Sequence, residues 1–264
     1  MAQRRAYLHV GLDDGSGDVV ADALDRHAHA LLDLRVRRAA DPAETFRGVV
    51  EVLGCPAAWG VDPDEVEGSW SALISDVRRG RDTIVLTESL LAGVGTDGAR
   101  TVVGALDGFD VHAVVTARAP GPGGGPELGD VLPRWAGAVG AAERVHVLLG
   151  DPATTWRALG LVAGFGTASL RVDGPCPPDR PLDPERAAAW RTALDAAPYD
   201  VVGDPDLLTV GDPAADLLAE TGRELADARH ELAVLRRRND DLTRRLDRAD
   251  RKRRKLKRRL RELA

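Results

Sequence analysis

Lysine is nearly missing from this chain. Lys252, Lys255 and Lys257 are the only three in 264 residues, so no lysine can hold a phosphate or act in catalysis before position 252. Cysteine is scarce as well. Cys55 and Cys176 each precede a proline, with no CxxC pair and no histidine at ligand spacing. That argues against a disulfide framework or a zinc site and makes the reducing cytoplasm the expected compartment. Aromatic residues amount to 4%, so a core must be built mostly from aliphatic side chains. No run approaches the ~20 apolar residues of a membrane-spanning helix, so no transmembrane segment is expected. The apolar run in the opening MAQRRAYLHVG is far too short for a signal peptide.

What is present is enough for a globular body. Hydrophobic residues make up 44%, and the basic residues are almost all arginine. The net charge of −6 hides a division. From Arg236 onward there are fifteen Arg and Lys against five Asp and Glu, which leaves −16 on residues 1–235. An acidic body is thus joined to a basic tail.

Along the body, short apolar runs alternate with helical stretches. Ala6–Val10, Thr83–Leu86, Val111–Ala117 and Arg144–Leu149 read as buried strands, and Tyr199–Val202 as a last strand or extended segment. Helices are expected from about Asp18 to Leu34, around Trp70–Val77 and around Glu185–Ala196. Continuous apolar strands separated by helices predict an α/β fold, a parallel sheet covered by helices on both faces. The Gly/Pro-rich stretches Ala119–Gly129 and Gly174–Pro184 cannot hold a helix and read as loops, the first a flexible one. Asp212 followed by Pro213 marks a helix start, dividing the chain into a body, residues 1–211, and a tail, residues 212–264.

The tail carries a heptad pattern. Leu218, Leu225, Leu232, Asn239, Leu246, Arg253 and Leu260 form one series, and Thr221, Ala228, Leu235, Leu242, Ala249, Leu256 and Leu263 form the second, three residues on. These are a and d positions, and the lone Asn239 at an a position favours two parallel strands in register. A long C-terminal coiled-coil helix of roughly 75 Å and a parallel homodimer are therefore expected, with a solvated single helix as the alternative. The fifteen cations from Arg236 onward suit nucleic-acid phosphates, an anionic membrane surface or an acidic protein partner, but no aromatic residue is interleaved for stacking on bases.

A strand, a Gly-rich turn and a helix N-terminus make an anion cradle of backbone N–H groups. Leu8–Gly17 (LHVGLDDGSG) has that form, with Gly11, Gly15, Ser16 and Gly17 as its backbone donors. The segment resembles the start of the bacterial sulfotransferase family, and in particular an actinobacterial branch. Ile84–Gly93 (IVLTESLLAG), Val111–Arg118 (VHAVVTAR), Leu132–Leu149, Ala168–Leu170 and Tyr199–Asp204 (YDVVGD) continue the likeness over most of residues 5–208. The resemblance implies a P-loop fold and 3′-phosphoadenosine-5′-phosphosulfate as donor, with Arg118 holding the nucleotide's 3′-phosphate.

The departures from the family pattern cut against donor binding. Asp14, beside Asp13, stands where the family has its loop lysine, and Gly17 and Asp18 replace the paired threonines. Two carboxylates facing a phosphosulfate cost about 1–4 kcal/mol per like-charge pair at ~4 Å. Glu88 takes the place of a histidine that would serve as general base, and so becomes the candidate catalytic residue. No cofactor is then expected. The favoured expectation is a sulfotransferase-like domain that has lost donor binding and acts as a dimeric scaffold through its coil. The alternatives are a divergent active sulfotransferase using Arg118 and Glu88, and a nucleic-acid- or membrane-associated coiled-coil protein.

The remaining candidates read as structural. Asp13, Asp14, Asp18 and Asp22 do not fit a calcium-binding loop and suit a helix N-terminus. His27 and His29 point to different faces of a helix, while His9, His112 and His146 are expected to pack within strands. Trp59, Trp70, Trp135, Trp156 and Trp190 are expected as core anchors.

Overall fold

The computed structural model describes residues 3–12, 16–121, 125–172 and 182–208, with nothing taken from the side chains of residues 16–18. In chain order the elements are β1 (Arg4–Gly11), α1 (Ser16–Arg26), α2 (Ala28–Asp33), β2 (Val36–Arg38), α3 (Pro42–Leu53) and α4 (Pro63–Val66). There follow α5 (Ser69–Arg79), β3 (Thr83–Thr87), α6 (Thr96–Ala105), β4 (Phe109–Ala117) and α7 (Leu128–Val139). β5 (Val145–Leu149), α8 (Pro152–Ala163), α9 (Pro184–Asp195) and β6 (Asp200–Val202) complete the described fold.

Asp-Pro pairs start many of these helices. Asp41, Asp151 and Asp183 each place a side-chain oxygen on a first-turn N–H, of Glu44 at 2.8 Å, Thr154 at 2.7 Å and Arg186 at 3.0 Å. The proline that follows fits the first helical position, where its missing N–H costs nothing. Gly54 and Gly164 end α3 and α8 in the left-handed region, at φ 68° and 79°.

All strand pairs among the described residues are parallel, in the order β2-β3-β1-β4-β5-β6. This is the α/β architecture the alternation of runs predicts. Ala6, Leu8 and Val10 of β1 face one layer, with α3, α5, α6, α7 and α9, whereas Tyr7 faces the other, with α1, α2 and α8. Leu8, Val10, Val85, Val114, Val115 and Val147 have no exposed surface, which is what a sheet covered on both faces requires. Each such side chain contributes about 1.5–3 kcal/mol of burial.

Three expectations need correction. The helix read from Asp18 to Leu34 is two helices, interrupted at His27. The ring of His27 is fixed there by the Arg171 carbonyl at 2.8 Å and by stacking on Trp156. β2 went unread because two of its three residues are arginines, held by Asp76 and Asp25. Trp59 is 45% exposed in the turn Pro56–Trp59, touching Phe46 edge-on, and so anchors no core, unlike the other four tryptophans. The Gly/Pro-rich stretch after β4 is held at both flanks by α9. Arg186 binds the carbonyls of Gly121 and Pro126 and the carboxylate of Glu127, and Asp183 N–H reaches Pro120 O. Among the described residues no helix is long and apolar enough to cross a membrane.

The whole dimer seam, Leu218, Leu225, Leu232, Leu235, Asn239, Leu242, Leu246, Leu256 and Leu260, lies outside the described residues, as does the boundary at residue 211.

Candidate functional site

A doubly covered parallel sheet has its natural crevice where neighbouring strands send their chains to opposite faces. Here that place is the C-terminal end of β1. Its chain passes to α1 on one face, while the flanking strands β3 and β4 lead to α6 and α7 on the other. The cradle segment read from the sequence therefore falls at the switch point. Gly11 is the last residue of β1, buried and paired with Thr116, and Ser16 and Gly17 open α1. Asp13, Asp14 and Gly15 lie outside the described residues.

At this end of the sheet the strand ends are closed by one polar cluster. His9 on β1 is 1% exposed, with Nδ1 2.8 Å from Thr87 Oγ1 and Nε2 3.1 Å from Thr116 Oγ1. Both threonines are buried, on β3 and β4 respectively. Burial lowers the His9 pKa from 6.5 to about 4, so the ring is neutral near pH 7. One ring nitrogen then donates to one hydroxyl and the other accepts from the second, which satisfies the imidazole. The sequence expects His9 to pack within a strand, and it lies buried in β1. Its two threonine partners become visible only once the strand order is known.

At the mouth stands Glu88, directly after β3. Its N–H donates to the His9 carbonyl at 3.3 Å, and its carboxylate caps the following turn by accepting from Leu90 N–H at 3.3 Å. Burial raises its pKa, and the bonds from Leu90 and Ser89 and the charge of Arg38 oppose that rise without cancelling it. Arg38 itself is 10% exposed and paired with Asp25 of α1. Arg134 of α7 donates to the Ala92 carbonyl at 2.9 Å, tying α7 to the turn Ser89–Gly93. Arg118, just beyond β4, is engaged by another group of the chain. The structure thus brings Gly11, Glu88 and the start of α1 to one sheet edge, around a core of neutral polar groups. Among the described residues no three His, Cys, Asp or Glu side chains are grouped to hold a metal ion.

A groove between α3 and α5, lined by Glu44, Arg47, Asp76 and Arg79 among others, mixes both charge signs and shares no residue with this edge.

A second polar cluster crosses the sheet from β4 to β6. His112 Nδ1 lies 2.9 Å from His146 Nε2, and the two rings stack with centroids 5.0 Å apart. The outer nitrogens turn to carboxylates: His112 Nε2 to Asp110 at 3.3 Å and His146 Nδ1 to Asp200 at 2.6 Å. Arg144 binds Asp110 at 3.1 Å, and the Tyr7 ring lies tilted against His112, centroids 5.2 Å apart, while its hydroxyl donates to Val162 O at 2.8 Å. Sequence reasoning treats the two histidines as separate packed residues. The available signal was their strand positions, two residues after Asp110 and near the start of β5, which meet only when β4 and β5 are known to pair.

Comparison with family models, with curated proteins and with solved structures finds no match to this chain.

Proposed function

We propose that the body is a sulfotransferase-like α/β domain that has given up donor binding, and that the protein works as an interaction scaffold, dimerised by its basic C-terminal coil. One observation carries the reading: the strand end where an anion would need cations instead holds a buried neutral His9 and, at its mouth, the carboxylate of Glu88. No lysine precedes Lys252 to restore the charge. The switch-point position of the cradle segment supports the family likeness read from the sequence. The acidic character of that cradle supports loss of the donor, because a phosphosulfate approaching Asp13 and Asp14 meets charges of its own sign.

The test is calorimetry of the full chain with 3′-phosphoadenosine-5′-phosphosulfate and its desulfo product. No saturable heat is expected, and affinity in the micromolar range refutes the proposal. Sedimentation of the same chain reports the second half: a dimer that Leu235→Asp with Leu242→Asp converts to monomer.

A second reading rests on Glu88. A half-buried carboxyl whose pKa is raised, at the carboxyl end of a central strand, is placed as a general base is placed in an active site. In that reading the domain is a divergent sulfotransferase and Glu88 takes the proton of an acceptor hydroxyl. Donor-dependent sulfuryl transfer that Glu88→Gln abolishes would favour it over the scaffold.

A further inference from the structure

Four Asp-Gly pairs stand in the sequence, and two of them, Asp97–Gly98 and Asp107–Gly108, lie among the described residues. This dipeptide carries its own chemistry. The glycine amide nitrogen can attack the aspartate Cγ, because no side chain on the glycine shields it. The carboxyl oxygen leaves as water with the amide proton, and a five-membered succinimide closes. Water then reopens the ring at either carbonyl. One opening restores aspartate, and the other gives isoaspartate, whose main chain runs through Cβ and Cγ. No oxidant or reductant is consumed, and the mass of the chain is unchanged.

A folded chain permits this only where the peptide between the two residues can rotate to bring the nitrogen against Cγ. At Asp107–Gly108 nothing holds it. Residues 106–109 form the tight turn between α6 and β4, closed by Phe109 N–H on the Leu106 carbonyl at 3.0 Å. Gly108 has φ 90° and Asp107 a negative φ, the arrangement of a type II turn with glycine as its third residue. The central peptide of such a turn takes no part in the closing bond. Among the described residues neither the Asp107 carbonyl nor the Gly108 N–H makes a hydrogen bond, and the Asp107 carboxylate has no ion-pair partner. Both residues are exposed, and a β-carbon on Gly108 would meet nothing within 4 Å.

Asp97–Gly98 is restrained at each of these points. The Asp97 carbonyl accepts from the Thr101 hydroxyl at 2.9 Å, and its carboxylate pairs with Arg100 at 3.2 Å. Gly98 is pressed so closely on Val94 that a β-carbon would lie 2.5 Å from Val94 Cγ1. The pair also stands in the first turn of α6, which rotation of that peptide would undo.

We propose that Asp107–Gly108 is a self-modification site at which the folded protein accumulates isoaspartate, while the same dipeptide in α6 is protected.

The position gives the change a consequence. Leu106 and Phe109, on either side, are 1% and 8% exposed, so the core fixes both ends of the turn. Isoaspartate adds one carbon to the main chain between these anchors. The strain falls on the start of β4, where Phe109 lies under the Arg4 guanidinium at 4.2 Å and Asp110 is held by Arg144 and His112. Modified chains are therefore less stable. The lesion presents a free α-carboxylate, which is the substrate class of a carboxyl methyltransferase that repairs isoaspartate.

The test holds the full chain folded at neutral pH, digests it at intervals and reads the peptides by electron-transfer fragmentation, which cleaves the Cα–Cβ bond of isoaspartate. Isoaspartate should rise about tenfold faster at residue 107 than at residue 97, the equivalent of ~1.4 kcal/mol for opening the helical turn. In denaturing urea, where neither turn survives, the two rates should converge. Asp107→Glu, whose ring would have six members, should abolish the signal at this position, and aged wild type should unfold at lower urea than the aged variant. Absence of isoaspartate at residue 107, equal rates at 97 and 107 in the folded chain, or a tenfold ratio that persists in urea would overturn the proposal.

Discussion

The most demanding consequence of the strand-end cluster is its pH dependence. His9 is neutral and buried when folded, with a pKa of about 4, against 6.5 in the unfolded chain. A base whose folded pKa is depressed contributes stability that is whole above the unfolded value and is lost as pH falls toward the folded one. Between these limits the unfolded chain binds a proton that the folded chain refuses. From the two values the loss relative to pH 7 is about 2 kcal/mol at pH 5 and about 3 kcal/mol at pH 4. In a body of this size the first figure lowers the melting temperature by roughly 4–8 °C. Carboxylates titrate in the same range, so wild type alone is not enough. His9→Gln supplies a donor and an acceptor to Thr87 and Thr116 without titrating, and the difference between the two proteins removes every shared group. Urea unfolding at pH 7, 5 and 4 should show wild type losing this amount more than His9→Gln. Parallel losses in the two proteins refute a buried neutral imidazole at this position.

Two further substitutions test what fixes the elements around the sites. Gly203 follows β6 at φ 118°, and a β-carbon there would lie 2.3 Å from the Leu149 carbonyl oxygen, so Gly203→Ala should cost about 3 kcal/mol in urea unfolding and free β6 from β5. Asp151→Ala removes the 2.7 Å bond to Thr154 N–H at the start of α8 and should cost about 1 kcal/mol, measured the same way.

What was legible in the sequence followed from local rules. The buried strands β1, β3, β4 and β5 are continuous apolar runs, and the alternation with helices fixes the fold class without any long-range knowledge. The Asp-Pro start of α9 stands in the chain as plain text. β2 was not legible, because an edge strand of one valine and two arginines owes its place to ion pairs with α5 and α1 and to register with β3. The polar clusters escaped for a different reason. His9 meets Thr87 across 78 residues and Thr116 across 107, and His112 meets His146 across 34. Such partners are products of strand order, and no window of sequence contains them. Glu88 is a candidate only through its likeness to a family motif, and the structure adds that burial, opposed by weaker bonds, raises its pKa.

The two histidine clusters differ in what meets their rings. His9 penalises acid, because burial without a carboxylate partner leaves its charged form unsupported. The rings of the His112–His146 pair meet the carboxylates of Asp110 and Asp200. What separates them is a carboxylate within hydrogen-bond reach, present at one site and replaced by threonine hydroxyls at the other. The same contrast bears on the crevice. An anion seated over the end of β1 would give His9 the missing counter-charge and raise its pKa, and linkage requires that protonating His9 would tighten that anion equally. A domain that binds no donor must therefore keep the acid sensitivity of His9 unchanged in the presence of nucleotide. A domain that does bind one must lose part of it. The protonation of the buried His9 thus reports on whether an anion binds over the end of β1.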